Sequence, residues 1–262
     1  MHTLRRIIVV GTGLLLAGCG RNTQSVTLAG STAFQPFAEK LADDYMAAHP
    51  GMEITVQGGG SAVGIQSALS GAAQIGMADL VELPVEARVL TSYVVARDGI
   101  AIVVNPANGV TNLTTLQIRG IFNGAIKNWK DVGGADAPIT VVSREAGSGT
   151  RSSFEKIVNG ITLTQDAIVQ DSNGTIRETV AHDANAIGYL SHGLLNEKIK
   201  AVTVEGVECT VAAVVAGEYP LARPVFLLTK GPAAGAGKAF IDYVLSAEGQ
   251  KLIADNGLIQ AK

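Results

Sequence analysis

Ser143-Arg144-Glu145-Ala146-Gly147-Ser148-Gly149-Thr150-Arg151 is the stretch on which the reading of this chain turns. It closes a strand-like run, residues 139–142, and opens a helix-like run, residues 152–158. A strand that feeds a glycine-rich turn and then a helix start gathers unpaired backbone N–H groups at one point. The hydroxyls of Ser148 and Thr150, the Gly149 amide and the Arg144 guanidinium add to them, making a socket for a small oxyanion. No general base stands inside the stretch, so it is suited to holding an anion rather than transforming one.

The same order occurs twice upstream. Val26-Thr27-Leu28-Ala29 reads as a strand and Gly30-Ser31-Thr32 as a turn; Phe34, Phe37, Leu41 and Tyr45 follow at helical spacing, with Pro36 tolerated in the first turn. His49-Pro50-Gly51 stops that helix. Ile54-Thr55-Val56-Gln57 is the next strand, Gly58-Gly59-Gly60-Ser61 the next turn, residues 63–69 the next helix, and residues 74–78 a strand ending at Asp79. Short strands alternating with amphipathic helices predict an α/β fold whose sheets are mostly parallel and flanked by helices. The strong strand 99–104, followed by Asn105-Pro106, is the expected crossing into a second lobe, and Tyr219-Pro220-Leu221-Ala222-Arg223-Pro224 followed by the strand 225–228 the expected return. A last helix is expected near 233–256. Two connecting strands between two lobes predict a hinge with a cleft, where ligands commonly sit.

Each hydroxyl at a helix start also has an ordinary explanation as an N-cap. Three such caps converging on one cleft favour an anion. Arg144 is either a fork for two oxygens or half of an ion pair with Glu145. Asp79 repels a bare anion; it is either another helix cap or an acceptor for a proton that the ligand has to give, in which case sulfate, fully deprotonated near neutral pH, would face it acceptor to acceptor.

The first residues read as a processing signal. Arg5 and Arg6 precede an apolar core of about ten residues, too short to span a bilayer of about 30 Å. Leu16-Ala17-Gly18-Cys19 resembles a bacterial lipobox, which implies acylation of Cys19 and cleavage before it. That leaves Cys209 without an internal partner, so the fold must stand on its core. Loss of the two arginines moves the formal charge from −3 to −5, which supplies no field for nucleic acid. Attraction for an anion must then be local. Aromatic residues at 5% argue against a stacking platform for sugars, and Trp129 reads as a packing residue. The histidines (His2, His49, His182, His192) have no paired metal spacing. A serine hydrolase built on Ser148 with His182 or His192 and Asp183 lacks the Gly-x-Ser-x-Gly elbow. Residues 231–238 miss the phosphate-loop spacing, and Ala239 stands where Ser or Thr is required.

Taken in order, Ala29-Gly30-Ser31-Thr32, Gly58-Gly59-Gly60-Ser61, Ile75-Gly76-Met77-Ala78-Asp79, the run from Ala96 through Gly99-Ile100 to Asn105-Pro106, Ile121-Phe122-Asn123-Gly124 with Asn128-Trp129, Arg144 to Arg151, Ala186-Ile187-Gly188-Tyr189-Leu190 and Leu245-Ser246-Ala247-Glu248-Gly249-Gln250 resemble the PstS-like phosphate-binding proteins of ABC importers. The resemblance covers essentially all of the chain after the signal. It implies a two-lobed periplasmic-binding-protein type II fold, not an enzyme, with no metal or organic cofactor. Phosphate would be held by Ser31, Thr32 and the Ala33 amide, by Ser61, by Asp79 as acceptor of the ligand proton, and by Arg144, Ser148, Gly149 and Thr150. Many relatives have Ser-Arg after Gly-Met-Ala, whereas Asp79-Leu80 stands here. The expected organisation is a signal peptide at 1–18, a tether at 19–25, a first lobe of 26–104 with 220–262, and a second lobe of 105–219. The expected partners are inorganic phosphate, the permease and ATPase of the importer, and the extracytoplasmic face of the cell membrane through Cys19, the protein itself being a monomer. Receptors for sulfate or molybdate, a phosphatase or esterase, and a signalling or adhesive receptor are the rival readings.

Overall fold

The computed structural model describes residues 23–261, so the signal peptide and Cys19 lie outside the described residues. The chain begins with β1 (Gln24–Gly30), α1 (Gln35–Ala48), β2 (Met52–Gln57), α2 (Ser61–Ser70) and β3 (Ile75–Ala78). Gln24 and Ser25, assigned to the tether on sequence, pair with Met52 and Glu53 and extend the first strand. In α1 the side chains of Phe37, Ala38, Leu41, Ala42 and Tyr45 are buried, while Glu39, Lys40, Asp43 and Asp44 face solvent. That is the stripe a 3.6-residue period gives to a helix laid on a sheet.

β4 (Thr91–Val104) then runs for 14 residues. Beyond it come β5 (Asn112–Leu113), α3 (Thr115–Phe122), β6 (Thr140–Arg144), α4 (Gly149–Val158), β7 (Ile168–Gln170), α5 (Asn173–His182), β8 (Ala186–Ser191), β9 (Lys200–Val204) and α6 (Val211–Val215). β10 (Ala222–Thr229) returns alongside β4, and α7 (Gly235–Leu245), α8 (Ala247–Asp255) and β11 (Ile259–Gln260) complete the described chain. The strands follow the order β2-β1-β3-β10-β4-β8-β6-β7, with β11 and β9 paired to β4, and β5 to β9.

The sheet is mixed rather than mostly parallel. Parallel ladders join β1 to β2 and β3, β6 to β7 and β8, and β5 to β9, as the helical crossovers between those strands require. Every antiparallel ladder runs through β4 or β10. These are the strands that carry the chain out and back, so opposite directions follow from the connection itself.

Two large apolar cores result. One gathers Val26, Leu28, Phe37, Leu41, Ile75, Leu227 and Phe240, the other Ile102, Phe122, Trp129, Phe154, Ile176 and Tyr189. β4 belongs to both, giving Val95 and Ala96 to the first and residues 100–104 to the second. Its buried end is apolar on both faces, as in a strand covered on either side. Trp129 packs in the second core and donates its indole N–H to the Asn185 carbonyl at 2.9 Å.

Two local features depart from the sequence reading. The helix expected near 233–256 is broken at Ser246, whose extended backbone (ψ 165°) ends α7 and whose hydroxyl caps α8 by accepting the Gly249 N–H at 3.2 Å. β4 begins at Thr91, ahead of the expected 99; its first four residues alternate half-buried with exposed, and so lack the continuous apolar run that marks the rest. Cys209 is free and buried, and burial pushes its thiol up to about 12. Among the described residues no helix is long and apolar enough to cross a membrane.

Candidate functional site

Helix starts from both halves of the molecule meet over β3. Ser31 anchors the first: its N–H donates to the Met77 carbonyl at 3.0 Å, and its hydroxyl oxygen accepts the Phe34 N–H at 3.1 Å. Ser31 is therefore a cap, fully buried, whose O–H proton is not committed to that bond. Thr32 and Ala33 lie in the turn that precedes the regular start of α1 at Gln35. Ser148 plays the same part for α4, accepting the Arg151 N–H at 3.2 Å. The amides of Gly149 and Thr150 belong to the first turn of α4, where an α-helix offers no internal partner.

Asp79, at the end of β3, is the point of contact between the second and third starts. The Ser61 hydroxyl donates to Asp79 Oδ1 at 2.8 Å and accepts the Asp79 N–H at 3.1 Å. The Thr150 hydroxyl, from the other half, donates to Asp79 Oδ2 at 3.2 Å. Ser61, Asp79, Ser148 and Thr150 are all buried.

Arg144 is 1% exposed at the end of β6. Its Nε and Nη2 donate to the two carboxylate oxygens of Glu145 at 2.9 and 2.8 Å, and Nη2 also to the Asp171 carbonyl at 3.2 Å. Of the two alternatives for this residue the ion pair is what forms, bidentate to Glu145, and its buried Nη1 has no partner among the described residues. An unpaired buried guanidinium nitrogen is costly in a protein interior unless an acceptor is to occupy the place. Its main chain is fixed by Tyr189, whose hydroxyl accepts the Arg144 N–H at 3.3 Å and shares a 2.8 Å bond with Ser143. Burial pushes that phenol up to about 12, so it remains a neutral group.

The two halves touch main chain to main chain. The Ala62 N–H donates to the Gly147 carbonyl at 3.1 Å. A Cβ added at Gly60 would stand 2.8 Å from that same carbonyl oxygen, and one at Gly149 only 2.1 Å from Ser61 Oγ. Glycine is needed at both places for closeness of approach. Further bonds cross the seam: Asn173 Nδ2 to Thr32 Oγ1 at 3.2 Å, the Val81 N–H to Ser153 Oγ at 3.1 Å, and an exposed ion pair of Lys156 with Glu82. A cavity of about 210 Å³ lies over this line, bordered by Ser61, Ala62, Glu82, Gly147 and Gly149. A larger one, about 470 Å³, between Tyr93, Leu245, Gln250 and Gln260, has no charged side chain and does not suit an anion.

Sequence reasoning passed over four residues that complete the arrangement. Arg223, inside the segment read as a connector, places Nη1 against Asp79, 3.1 Å from its carbonyl and 2.5 Å from Oδ2. Its Nη2 and Nε donate to Asp98 Oδ2 at 2.9 and 3.3 Å. Burial pushes the Asp98 carboxyl up, with Arg223 and Ser191 pulling against it. Ser191 donates to Asp98 Oδ1 at 2.8 Å, and its own N–H donates to Asn173 Oδ1 at 3.1 Å. Asn173 was within reach of sequence reading, since Ser172-Asn173-Gly174-Thr175 repeats the pattern of hydroxyl cap beside glycine. Arg223 and Asp98 gave one signal only, a charge set in an otherwise apolar strand.

The hydrolase alternative finds no geometry. His182 Nδ1 lies 2.7 Å from the Glu178 carbonyl and His192 Nδ1 3.1 Å from that of Gly257, each occupied away from Ser148. Lys238, in the stretch that superficially suggests a phosphate loop, pairs with Asp242 on the exposed face of α7. Among the described residues no cluster of His, Cys, Asp or Glu is arranged to hold a metal.

Comparison with known proteins gives a consistent picture. Residues 17–248 match the family described as PBP superfamily domain. The phosphate-binding protein PstS of Bacillus subtilis is 38% identical over 240 residues, covering 90% of this chain and 80% of that one. A crystal structure of a phosphate ABC transporter substrate-binding protein from Clostridium perfringens, with bound phosphate, superposes with a TM-score of 0.88 at 40% identity, covering 91% of this chain and all of that one. An ABC-type phosphate transport receptor from Vibrio cholerae follows with a TM-score of 0.76 at 38% identity, over 90% and 99% of the two chains.

Proposed function

The chain belongs to the PBP superfamily, among relatives named PstS, and from that premise we propose that it captures inorganic phosphate outside the cytoplasm and hands it to an ABC importer. It is a receptor and not an enzyme. The observation that carries the reading is the buried, unpartnered Nη1 of Arg144 among hydroxyls and amides from both halves.

The bonds around Asp79 suggest how the ion is taken up. The Ser61 and Thr150 hydroxyls donate to the Asp79 carboxylate. A tetrahedral ion entering between α2 and α4 offers them a new acceptor. Rotation of the two hydroxyls toward it frees Asp79, which then accepts the one proton that hydrogen phosphate carries. Thr32, the Ala33 amide, Ser148 and the first amides of α4 supply the remaining donors, with Ser31 beside them. The formal charges of Asp79, Asp98, Arg223, Arg144 and Glu145 sum to −1, so attraction rests on aimed donors and on the positive ends of α1, α2 and α4. Closure of the halves along the Gly60–Gly147 line keeps those bonds dry.

Sulfate and molybdate bring no proton to Asp79. Titration calorimetry of residues 20–262 is expected to give strong heat with phosphate and affinity at least about a hundredfold lower with sulfate, a carboxylate facing an unprotonated oxygen being a repulsive contact. Equal affinity for the two would remove the role given to Asp79.

In this reading the protein works as a monomer and is held to the membrane by acylation of Cys19. Cys19→Ser in the full-length chain is expected to move the protein from the membrane fraction to the soluble one on cell fractionation. A variant that stays with the membrane would show that the anchor lies elsewhere.

A further inference from the structure

We propose that Arg223 is a positioning residue which, without touching the ion, decides that the site takes a protonated oxyanion and refuses an unprotonated one. The inference rests on the phosphate reading of the site. Arg223 and Asp98 are direct partners in the β10–β4 ladder, on the two strands that join the halves. The side chains of Arg223, Asp98 and Asp79 are 0, 1 and 2% exposed. One guanidinium thus stands between two buried carboxylates, and each of its three nitrogens is used: Nη1 on the carbonyl and carboxylate of Asp79, Nη2 and Nε on Asp98.

The consequence follows from charge. A carboxylate sealed from water needs a cation or a proton. Arg223 is the cation in contact with Asp79, and holding Asp79 by both carbonyl and carboxylate it fixes the direction in which the acceptor faces. Without it, two carboxylates would remain side by side in the interior with no cation between them, and neither the charge nor the aim of the Asp79 acceptor would be held. An acceptor that is not held no longer meets the proton of hydrogen phosphate or turns away a bare oxygen of sulfate, so the discrimination would collapse from within. Asp98 also accepts from the Ser191 hydroxyl, the Ser191 N–H donates to Asn173, and Asn173 donates to Thr32.

An arginine bridging two connecting strands could serve the fold alone, and the test separates the two roles by reading a ratio. Phosphate and sulfate affinities are measured by calorimetry for the wild type, Asp98→Asn, Arg223→Met and the double variant Arg223→Met/Asp98→Asn, each checked for folding by circular dichroism. The double variant removes both partners of the buried pair and leaves no orphan at Asp98, so it remains informative where Arg223→Met alone does not fold. Asp98→Asn leaves the cation to Asp79 and is expected to keep the preference for phosphate. Arg223→Met and the double variant are expected to compress the phosphate-to-sulfate ratio by about tenfold or more, with sulfate binding gained as phosphate binding falls. A folded double variant with the wild-type ratio would overturn the proposal and leave Arg223 as a strut. A wild type that binds no phosphate would instead overturn the reading on which it rests.

Discussion

Arg144→Ala is expected to weaken phosphate binding by between about thirtyfold and several thousandfold, the range that follows when one member of a buried charge pair is truncated at a cost of about 2–5 kcal/mol. The loss has two sources. The unpaired Nη1, which has no acceptor among the described residues, no longer meets the ion. Glu145, gripped at both oxygens by Arg144, is left as an unbalanced carboxylate whose Oε1 lies 3.1 Å from where a Gly60 Cβ would stand, at the meeting line of the halves. Calorimetry with phosphate, together with a thermal melt to confirm folding, reads the effect. An affinity unchanged in a folded variant would reduce Arg144 to the partner of Glu145.

Gly149→Ala is the second large effect. The added methyl would stand 2.1 Å from Ser61 Oγ and 2.7 Å from the Asp79 carbonyl oxygen, and neither of these can move away cheaply, because both are held in the network around Asp79. Overpacking of this kind costs about 1–3 kcal/mol or more. The clash lies between the halves and not within either core, so it falls on closure: phosphate affinity is expected to drop by about tenfold to a hundredfold or beyond, with the melting temperature of the unliganded protein little changed. Gly237→Ala is the matched control. A Cβ there, in the first turn of α7, meets nothing within 4 Å, and it should leave binding intact and the helix slightly more stable. Equal behaviour of the two variants in calorimetry would show that the seam tolerates a side chain.

The local grammar of the site was legible because it is local. Glycine, a hydroxyl and a helix start within five residues announce a cap or an anion socket, and Ser31, Ser61 and Ser148 do stand at helix starts that the fold gathers around Asp79. What could not be read was pairing at a distance. Arg223 meets Asp79 across 144 positions and Asp98 across 125, and nothing within a short window couples them. The direction of the ladders through β4 and β10 escaped for the same reason, since an apolar run looks alike whether its neighbour runs with it or against it. Arg144 presents a subtler case. Its neighbour Glu145 is visible in sequence, but only the fold shows that the pair leaves one nitrogen over.

The amide-to-carbonyl contact between Ala62 and Gly147, with bare glycines on either side of it, also bears on the shape of the guest. An ester carries an organic tail from one of its four oxygens, and that tail would need a chimney to the outside. Where backbone meets backbone there is no room for it, so a sugar phosphate or nucleotide whose tail left at that point would have to part Ala62 from Gly147.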